Sequence, residues 1–449
     1  MWWENKMMRT FRVRLKQKPG VIGHLLAAIG EVRGLIGEIK TIQMGSAAVV
    51  RDIVVFADTP EHMHELMQVV RNDPHSELIE VRDDVLEMHQ GGKIAVTSRY
   101  KIDTLSQLRR VYTPGVAEVC LKIKDNPEVA RRFTSISHLV AIVTDGTAVL
   151  GLGDIGPQAS MPVMEGKAAL MSCLVGLSGM PILLGTKDVD TIVETIVQIS
   201  PTFSAIQLED ISAPRCFDIE DRLKERLDIP VMHDDQHGTA VVVTAGLINA
   251  AKMADVSLKS EKIGVIGLGA AGMAISKMMM HLYGKATLGA DIAEHALARL
   301  KKEGGIPSTL EEIMSTCKVV IATTGVPGLI KPEMVRPGQI IFALSNPTPE
   351  IEPEEALEAG AVFAADGKSV NNILGFPGIF RGAVDANVNR ITNEMLVAAA
   401  KAIADIASPG ELVPSPLDRD VHKNVARAVA LTALQMGMNR EDLSHYFDD

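Results

Sequence analysis

Two acid pairs carry the first chemical signal in this chain. Glu209-Asp210 closes the apolar run AIQL, and Asp234-Asp235 closes IPVM just before Gly238-Thr239-Ala240 opens a helix. Carboxylates at neighbouring strand ends make a hard, oxygen-rich site that suits Mg²⁺ or Mn²⁺ rather than zinc. Adjacent strand residues face opposite sides, so both acids of a pair converge only where the chain turns, and Ile-Ser-Ala-Pro after Asp210 supplies such a break. The plainer use of acid pairs is to cap the following helices. Lys167 lies among small and apolar residues in MPVMEGKAALMSCLVGL. Burial there beside a divalent cation would push its pKa down, as a general base requires; a surface position would make it a snorkelling helix lysine. Tyr112 stands just before Pro114-Gly115 in YTPGVA, on a loop that the proline stiffens.

A second chemistry is nucleotide binding. Gly267-Leu268-Gly269-Ala270-Ala271-Gly272 follows the apolar strand Lys262–Ile266 and opens a helix. Gly267, Gly269 and Gly272, with Ala270 and Ala271 between them, let backbone approach a pyrophosphate lying on the helix N-terminus. Asp291 ends the next strand, at the distance where an acid meets the adenosine ribose. Ile292-Ala293-Glu294 offers no Arg or Lys for a 2′-phosphate, which favours NAD over NADP. A cap for the next helix is the other use of Asp291. The similar run Gly151-Leu152-Gly153-Asp154-Ile155-Gly156 meets Pro157 and has no matching acid, so it reads as a tight turn near the reacting centre.

In order along the chain, VYTPGVA, DGTAVLGLGDIG, PVMEGKAAL, LEDISAPRCF, PVMHDDQHGTA, GLGAAG, ATTGVPG, FALSNPTPE and VNNILGFPGIFRGA resemble the malic enzymes, particularly the shorter bacterial type. The resemblance runs from about Ile94 to the C-terminus. It implies oxidation of malate at C2 with NAD(P)⁺ and loss of CO₂ to leave pyruvate, with Mg²⁺ or Mn²⁺ present. It also implies Lys167 as general base on the C2 hydroxyl and Tyr112 as the acid that protonates C3 of the enolate. Glu209, Asp210 and Asp235 would hold the metal, with Asp234 just behind them, while Asn346 and Asn372 join Lys167 at the substrate. Larger malic enzymes carry Arg where this chain has Ala148, and the stretch AADGKSVNN before Asn372 is shorter than usual. The competing enzymatic reading is a metal-dependent oxaloacetate decarboxylase that uses the same groups without hydride transfer. A non-catalytic sensor would require a lost catalytic position, and Tyr112, Lys167, Glu209, Asp210 and Asp235 are all present.

The elements that must position these groups are α/β in pattern. Apolar strands at 139–144, 181–185, 205–208 and 229–232 alternate with helical stretches, and strands at 286–291, 319–324 and 340–345 follow the glycine turn at similar spacing. The expected fold is a Rossmann-like NAD domain over 246–376 plus an α/β substrate domain over 93–245, to which 377–449 returns. The first ninety residues read β-α-β-β-α-β, a ferredoxin-like order. With Pro19-Gly20-Val21-Ile22-Gly23 after the first strand, they resemble an ACT domain, a small-molecule-sensing module that implies an effector and allosteric regulation. Gln90-Gly91-Gly92 is the expected linker.

Composition narrows the remaining classes. The 449 residues are 47% hydrophobic and 22% charged, which suits a globular enzyme of several domains. Net charge is −11, from 45 Lys plus Arg against 56 Asp plus Glu, and aromatics are 4%, with both Trp at the N-terminus. That balance argues against nucleic-acid binding. No run long enough for a membrane helix and no secretion signal are read, and four scattered Cys without CxxC suit a reducing, cytoplasmic setting. The family resemblance makes a homodimer or higher homo-oligomer the expected assembly.

Overall fold

The computed structural model describes residues 6–447, so Trp2 and Trp3 lie outside the described residues. The chain divides into two compact units, one ending at Lys93 and the other beginning at Ile94. That division falls just after Gln90-Gly91-Gly92.

In the first unit, strands β1 (Met7–Lys16), β2 (Leu35–Met44), β3 (Ala48–Ala57) and β4 (Ser76–Arg82) form an antiparallel sheet in the order β2-β3-β1-β4. Helices Val21–Glu31 and Pro60–Asn72 complete the β-α-β-β-α-β order. In β1, Phe11, Val13 and Leu15 are buried while Arg14 and Lys16 face solvent, the two-residue period of a half-buried strand. Thr59 caps the second helix by accepting the His62 N–H at 3.1 Å, as Thr59-Pro60 suggests. Leu25, Ile29, Leu66 and Val70 from the helices meet Phe11, Val13, Ile53 and Val55 from the sheet in a core of their own.

The second unit holds two parallel sheets. Strands β5 (Leu139–Thr144), β6 (Ser178–Leu183), β7 (Ala205–Leu208) and β8 (Val231–His233) lie in the order β6-β5-β7-β8. Strands β9 (Ile263–Ile266), β10 (Leu288–Ala290), β11 (Ile306–Pro307), β12 (Val319–Ala322), β13 (Ile340–Ala343) and β14 (Phe363–Asp366) lie in the order β11-β10-β9-β12-β13-β14. That is the 3-2-1-4-5-6 arrangement of a dinucleotide-binding Rossmann sheet. The expected division at 245/246 falls inside the helix Thr239–Met253, which is buried on nearly every side and forms one core with both sheets. Helices Phe376–Asp385 and Arg419–Gln435 pack on the helix Pro157–Val175 that follows β5, so the C-terminal segment returns to the first of the two sheets. Among the described residues no helix is long and apolar enough to cross a membrane.

Phe11 has no exposed surface. Phe11→Ala is expected to destabilise the N-terminal unit by about 3–5 kcal/mol, read as a lower urea midpoint for residues 1–93 expressed alone. An unchanged midpoint would contradict the core assigned to this unit.

Candidate active site

Parallel pairing of β7 with β8 sets Leu208 opposite His233, so Glu209 and Asp234 leave neighbouring strands at the same edge. The chain then turns sharply at Asp210, which adopts a left-handed φ of 54°. Such a conformation is costly for a residue with a side chain. Here the Asp210 carbonyl accepts the N–H groups of Thr147 and Ala148 at 3.1 and 2.9 Å, and its own N–H donates to Asp235 Oδ2 at 3.0 Å. The turn lets both acids of the pair face one point. One oxygen each from Glu209, Asp210 and Asp235 lies within 4.8 Å of the others.

Asp234 and Asp235 begin a wide, π-type helical turn, Asp234–Gly238, between β8 and the helix Thr239–Met253. Wide turns of this kind recur at functional sites. Gly238 is required there, because a Cβ would lie 1.9 Å from Asp234 Oδ1.

Lys167 sits on the helix Pro157–Val175, on the face where Met164, Ala168 and Met171 are also buried. Its ammonium donates to Asp234, lies 3.0 Å from Glu209 Oε1, and rests 4.5 Å above the Phe376 ring. The downward shift expected of Lys167 belongs to a site that holds a cation, whereas the chain's own groups act the other way. Burial acts downward, but Asp234, Glu209 and Asp235 outweigh it and raise the pKa above the ordinary lysine value. The acids move upward too. Burial, with repulsion from Glu209 and Asp235, lifts Asp210 to about 8. Burial also lifts Glu209 to about 7, against the opposing pull of Lys167, and Asp234 and Asp235 each to about 6.

Four acids around one ammonium leave surplus negative charge, and the buried Asp210 Oδ2 and Asp234 Oδ1 have no hydrogen-bond partner. Gln207 Nε2 donates to Glu209 Oε2 at 2.5 Å. This donor set fits a hard divalent cation.

The remaining residues expected at the site are placed unequally. Asn372 Nδ2 donates to Asp234 Oδ2 at 2.8 Å, which brings it to the cluster. Asn346 is exposed; a Cβ on Gly151 would lie 3.2 Å from its carbonyl oxygen, so it borders the 151–156 glycine run. That run is a turn ahead of the Lys167 helix, with Val149 and Gly153 bridged across it. Tyr112 is not brought to the cluster within this chain. It ends the helix Leu105–Val111, is 67% exposed, and its hydroxyl bonds none of the four acids or Lys167.

On the second sheet, Gly267 follows β9 with a φ of 86°, and the helix Ala270–Tyr283 begins directly after Gly269. A Cβ on Gly272 would lie 1.9 Å from the Gly267 carbonyl, so only glycine lets helix and turn close. The first helical N–H to pair is that of Met273, with Gly269 at 3.1 Å, leaving those of Ala270, Ala271 and Gly272 outside the helical ladder. Asp291 accepts from Leu268 N at 2.7 Å and Ala293 N at 2.8 Å, so it braces the turn while retaining acceptor capacity. It lines a cavity of about 100 Å³ with Leu268, Gly269, His295 and Arg299.

Three features were not foreseen from the sequence. Arg299, five residues after Glu294, lines that cavity, and its guanidinium lies 4.0 Å over the Phe217 ring. Glu350 is fully buried and accepts from Thr324 N at 2.6 Å and Ser345 N at 3.2 Å, tying together the loops after β12 and β13. Arg215 reaches Asp145 at 2.7 Å and Thr147 Oγ1 at 2.8 Å, fastening the loop that holds Asp210. An acid four residues after Asn346, and an Arg directly after Ala213-Pro214, were the available signals.

Known proteins resemble this chain over most of its length. Residues 92–224 match the family described as malic enzyme, N-terminal domain, and residues 236–318 and 364–434 match malic enzyme, NAD binding domain. The chain is 55% identical over 434 residues to NAD-dependent malic enzyme 1 of Bacillus subtilis, covering 96% of this chain and 99% of that protein. It is 41% identical to an NAD-dependent malic enzyme of Geobacillus stearothermophilus, with 96% of each covered. Among solved structures it resembles the malic enzyme of Pyrococcus horikoshii, with a TM-score of 0.75, 38% identity, and coverage of 82% of this chain and 95% of that one.

The acids with raised pKa values keep protons in the folded chain where an unfolded chain, with ordinary values near about 4, has lost them. These groups therefore make the cation-free fold less stable as pH rises from about 4 towards about 8. Below that upper limit a cation must displace protons to bind. Mn²⁺ is thus expected to raise the melting temperature more at pH 8 than at pH 6, followed by differential scanning fluorimetry. An equal or larger increment at pH 6 would contradict the assignment.

Proposed function

The chain belongs to the malic enzymes, and on that premise we propose that it oxidises malate at C2 and releases CO₂ to leave pyruvate, with NAD⁺ reduced. The observation that carries this reading is the meeting of Glu209, Asp210 and Asp235 oxygens within 4.8 Å, beside the Lys167 ammonium. A divalent cation held by those three acids would draw electron density from the C2 oxygen, stabilise the enolate left by decarboxylation, and offset the charge that keeps Lys167 protonated. NAD⁺ held on the glycine turn 267–272 would supply the hydride acceptor.

The chain's own residues divide the rest of the work. Lys167 takes the C2 hydroxyl proton, held in place by Asp234 and Glu209 and backed by Phe376. Asn372, fixed on Asp234, and Asn346, beside the 151–156 turn, orient the substrate carboxylates. Tyr112 delivers a proton to C3. Tyr112, Leu105, Leu108, Val111 and Leu121 are each exposed, and a second copy of the chain covers this segment in a homodimer or larger assembly. Asp291 receives the adenosine ribose, and NAD is the nucleotide.

The N-terminal unit has the ferredoxin-like order of an ACT domain and serves as the regulatory module. Lys16, Lys18, Pro19, Val21, Ile22 and Arg51 line a recess of about 320 Å³ in it, whose cations suit a small anionic effector.

Malate-dependent NADH formation with Mn²⁺ tests the whole reading; pyruvate from oxaloacetate with no NADH from malate would favour the decarboxylase alternative. Lys167→Ala is expected to lower malate oxidation by about 10²–10⁴-fold while NADH binding, followed by fluorescence, persists. Unchanged turnover would remove Lys167 from its role. Tyr112→Phe is expected to slow tritium exchange at C3 of pyruvate, and an unaltered exchange rate would reassign the acid.

A further inference from the structure

We propose that Glu220 is a positioning residue for the divalent-cation site, holding the turn that presents Asp234 and Asp235 from both of its ends. The inference rests on the reading that Glu209, Asp210 and Asp235 hold a cation, and it adds a residue that touches neither cation nor substrate.

Glu220 lies on the helix Arg215–Arg226, which is rich in charged residues, yet it occupies a buried position among Cys216, Phe217, Ile219 and Leu223. A buried carboxylate is costly unless its oxygens are bonded. Those of Glu220 are: one accepts the backbone N–H of His233 at 2.9 Å, His237 Nε2 lies 3.0 Å away, and Lys224 Nζ lies at 3.0 Å. His233 is the residue before Asp234, and His237 comes two after Asp235, so a single carboxylate grips both ends of the turn Asp234–Gly238.

The turn needs an external hold. A wide π-type turn is sparsely populated on its own and persists where its surroundings enforce it. On the site side, Lys167, Asn372 and the Asp210 N–H bond its acids, which also repel one another and Asp210. On the far side, the Nε2 of the buried Gln236 has no hydrogen-bond partner and contributes no anchor. Glu220 is the side chain there that bonds the turn at two points. It reaches the acids through the backbone of His233 and the ring of His237, and a cavity of about 110 Å³ lined by Glu220, Gln236 and His237 leaves room for the turn to relax if that hold is lost.

The test uses the full-length protein. Mn²⁺ binding is measured by electron paramagnetic resonance of the free ion, and NADH binding by fluorescence on the same samples. Glu220→Asp keeps the charge but shortens the reach by one methylene, so it cannot hold His233 and His237 together. It is expected to raise the Mn²⁺ dissociation constant by about 10–100-fold, with NADH affinity unchanged. Glu220→Gln retains the reach and an acceptor for the His233 N–H, and is expected to bind Mn²⁺ more tightly than Glu220→Asp. Should Glu220→Asp fail to fold, His237→Leu removes one anchor and is expected to weaken Mn²⁺ in the same direction. A folded Glu220→Asp that binds Mn²⁺ as the parent does, or loses Mn²⁺ and NADH affinity in equal proportion, overturns the proposal while leaving the cation site in place. A parent protein that binds no Mn²⁺ overturns both.

Discussion

Surplus negative charge, gathered out of water, is the constraint on which the catalytic unit is built. Glu209, Asp210, Asp234 and Asp235 surround a single Lys167 ammonium. Two like charges about 4 Å apart repel by about 4 kcal/mol at an effective dielectric of 20. One ammonium cannot offset four carboxylates, so the site either retains protons or takes up a cation. The upward displacement of all four acids expresses the first alternative, and the unpaired oxygens of Asp210 and Asp234 leave room for the second. The available neighbours support single oxygens without neutralising the whole: Gln207 and Asn372 donate amide hydrogens, and Arg215 is engaged by Asp145.

Such a concentration of charge demands a rigid frame, and parallel sheets supply it in a specific place. Parallel strands end together, so the residues just past their C-terminal ends meet whatever their distance along the chain. Leu208 opposite His233 brings the two acid pairs together, and Ile266 opposite Ala290 brings the glycine turn to Asp291. The loops after β12 and β13 obey the same rule, joined by Glu350. Buried cores behind each edge hold these loops without contributing to the chemistry.

Much of this was legible because it is written in local pattern. The alternation in β1, the Thr59-Pro60 start, the run LVAIVT and the glycine turn each report a short-range rule, and the observed elements fall within a few residues of them. Strands β11 and β14 escaped, since Ile306–Pro307 is only two residues and Phe363–Asp366 has two alanines at its centre; neither pattern announces a strand. The acid pairs were visible as residue types, but their convergence depends on the left-handed turn at Asp210, enforced by Thr147 and Ala148 from another loop. The groups that act on the Lys167 pKa were hidden for a related reason. Its own segment is apolar, and the acids that control it arrive from β7 and β8. Glu220 and Arg299 look like ordinary surface residues on amphipathic helices until packing reveals their neighbours.

The segment that carries Tyr112 follows a different logic from the rest of the catalytic unit. Its helices, Leu105–Val111 and Val116–Asp125, have 7 and 10 residues and no buried side chain. Helices shorter than about 12–15 residues are marginal in water without tertiary packing. The Thr104–Gln107 capping box adds only local support, while Leu105, Leu108, Val111 and Leu121 stand exposed. A single chain therefore packs the acid cluster, the lysine and the glycine turn well, but fully buries no side chain of the two short helices that flank the proposed acid. If a second copy covers that face, the same contact that stabilises the short helices also removes Tyr112 from water. The proposed proton delivery and subunit assembly would then depend on one surface, whereas the proposed base, Lys167, is held by acids of its own chain.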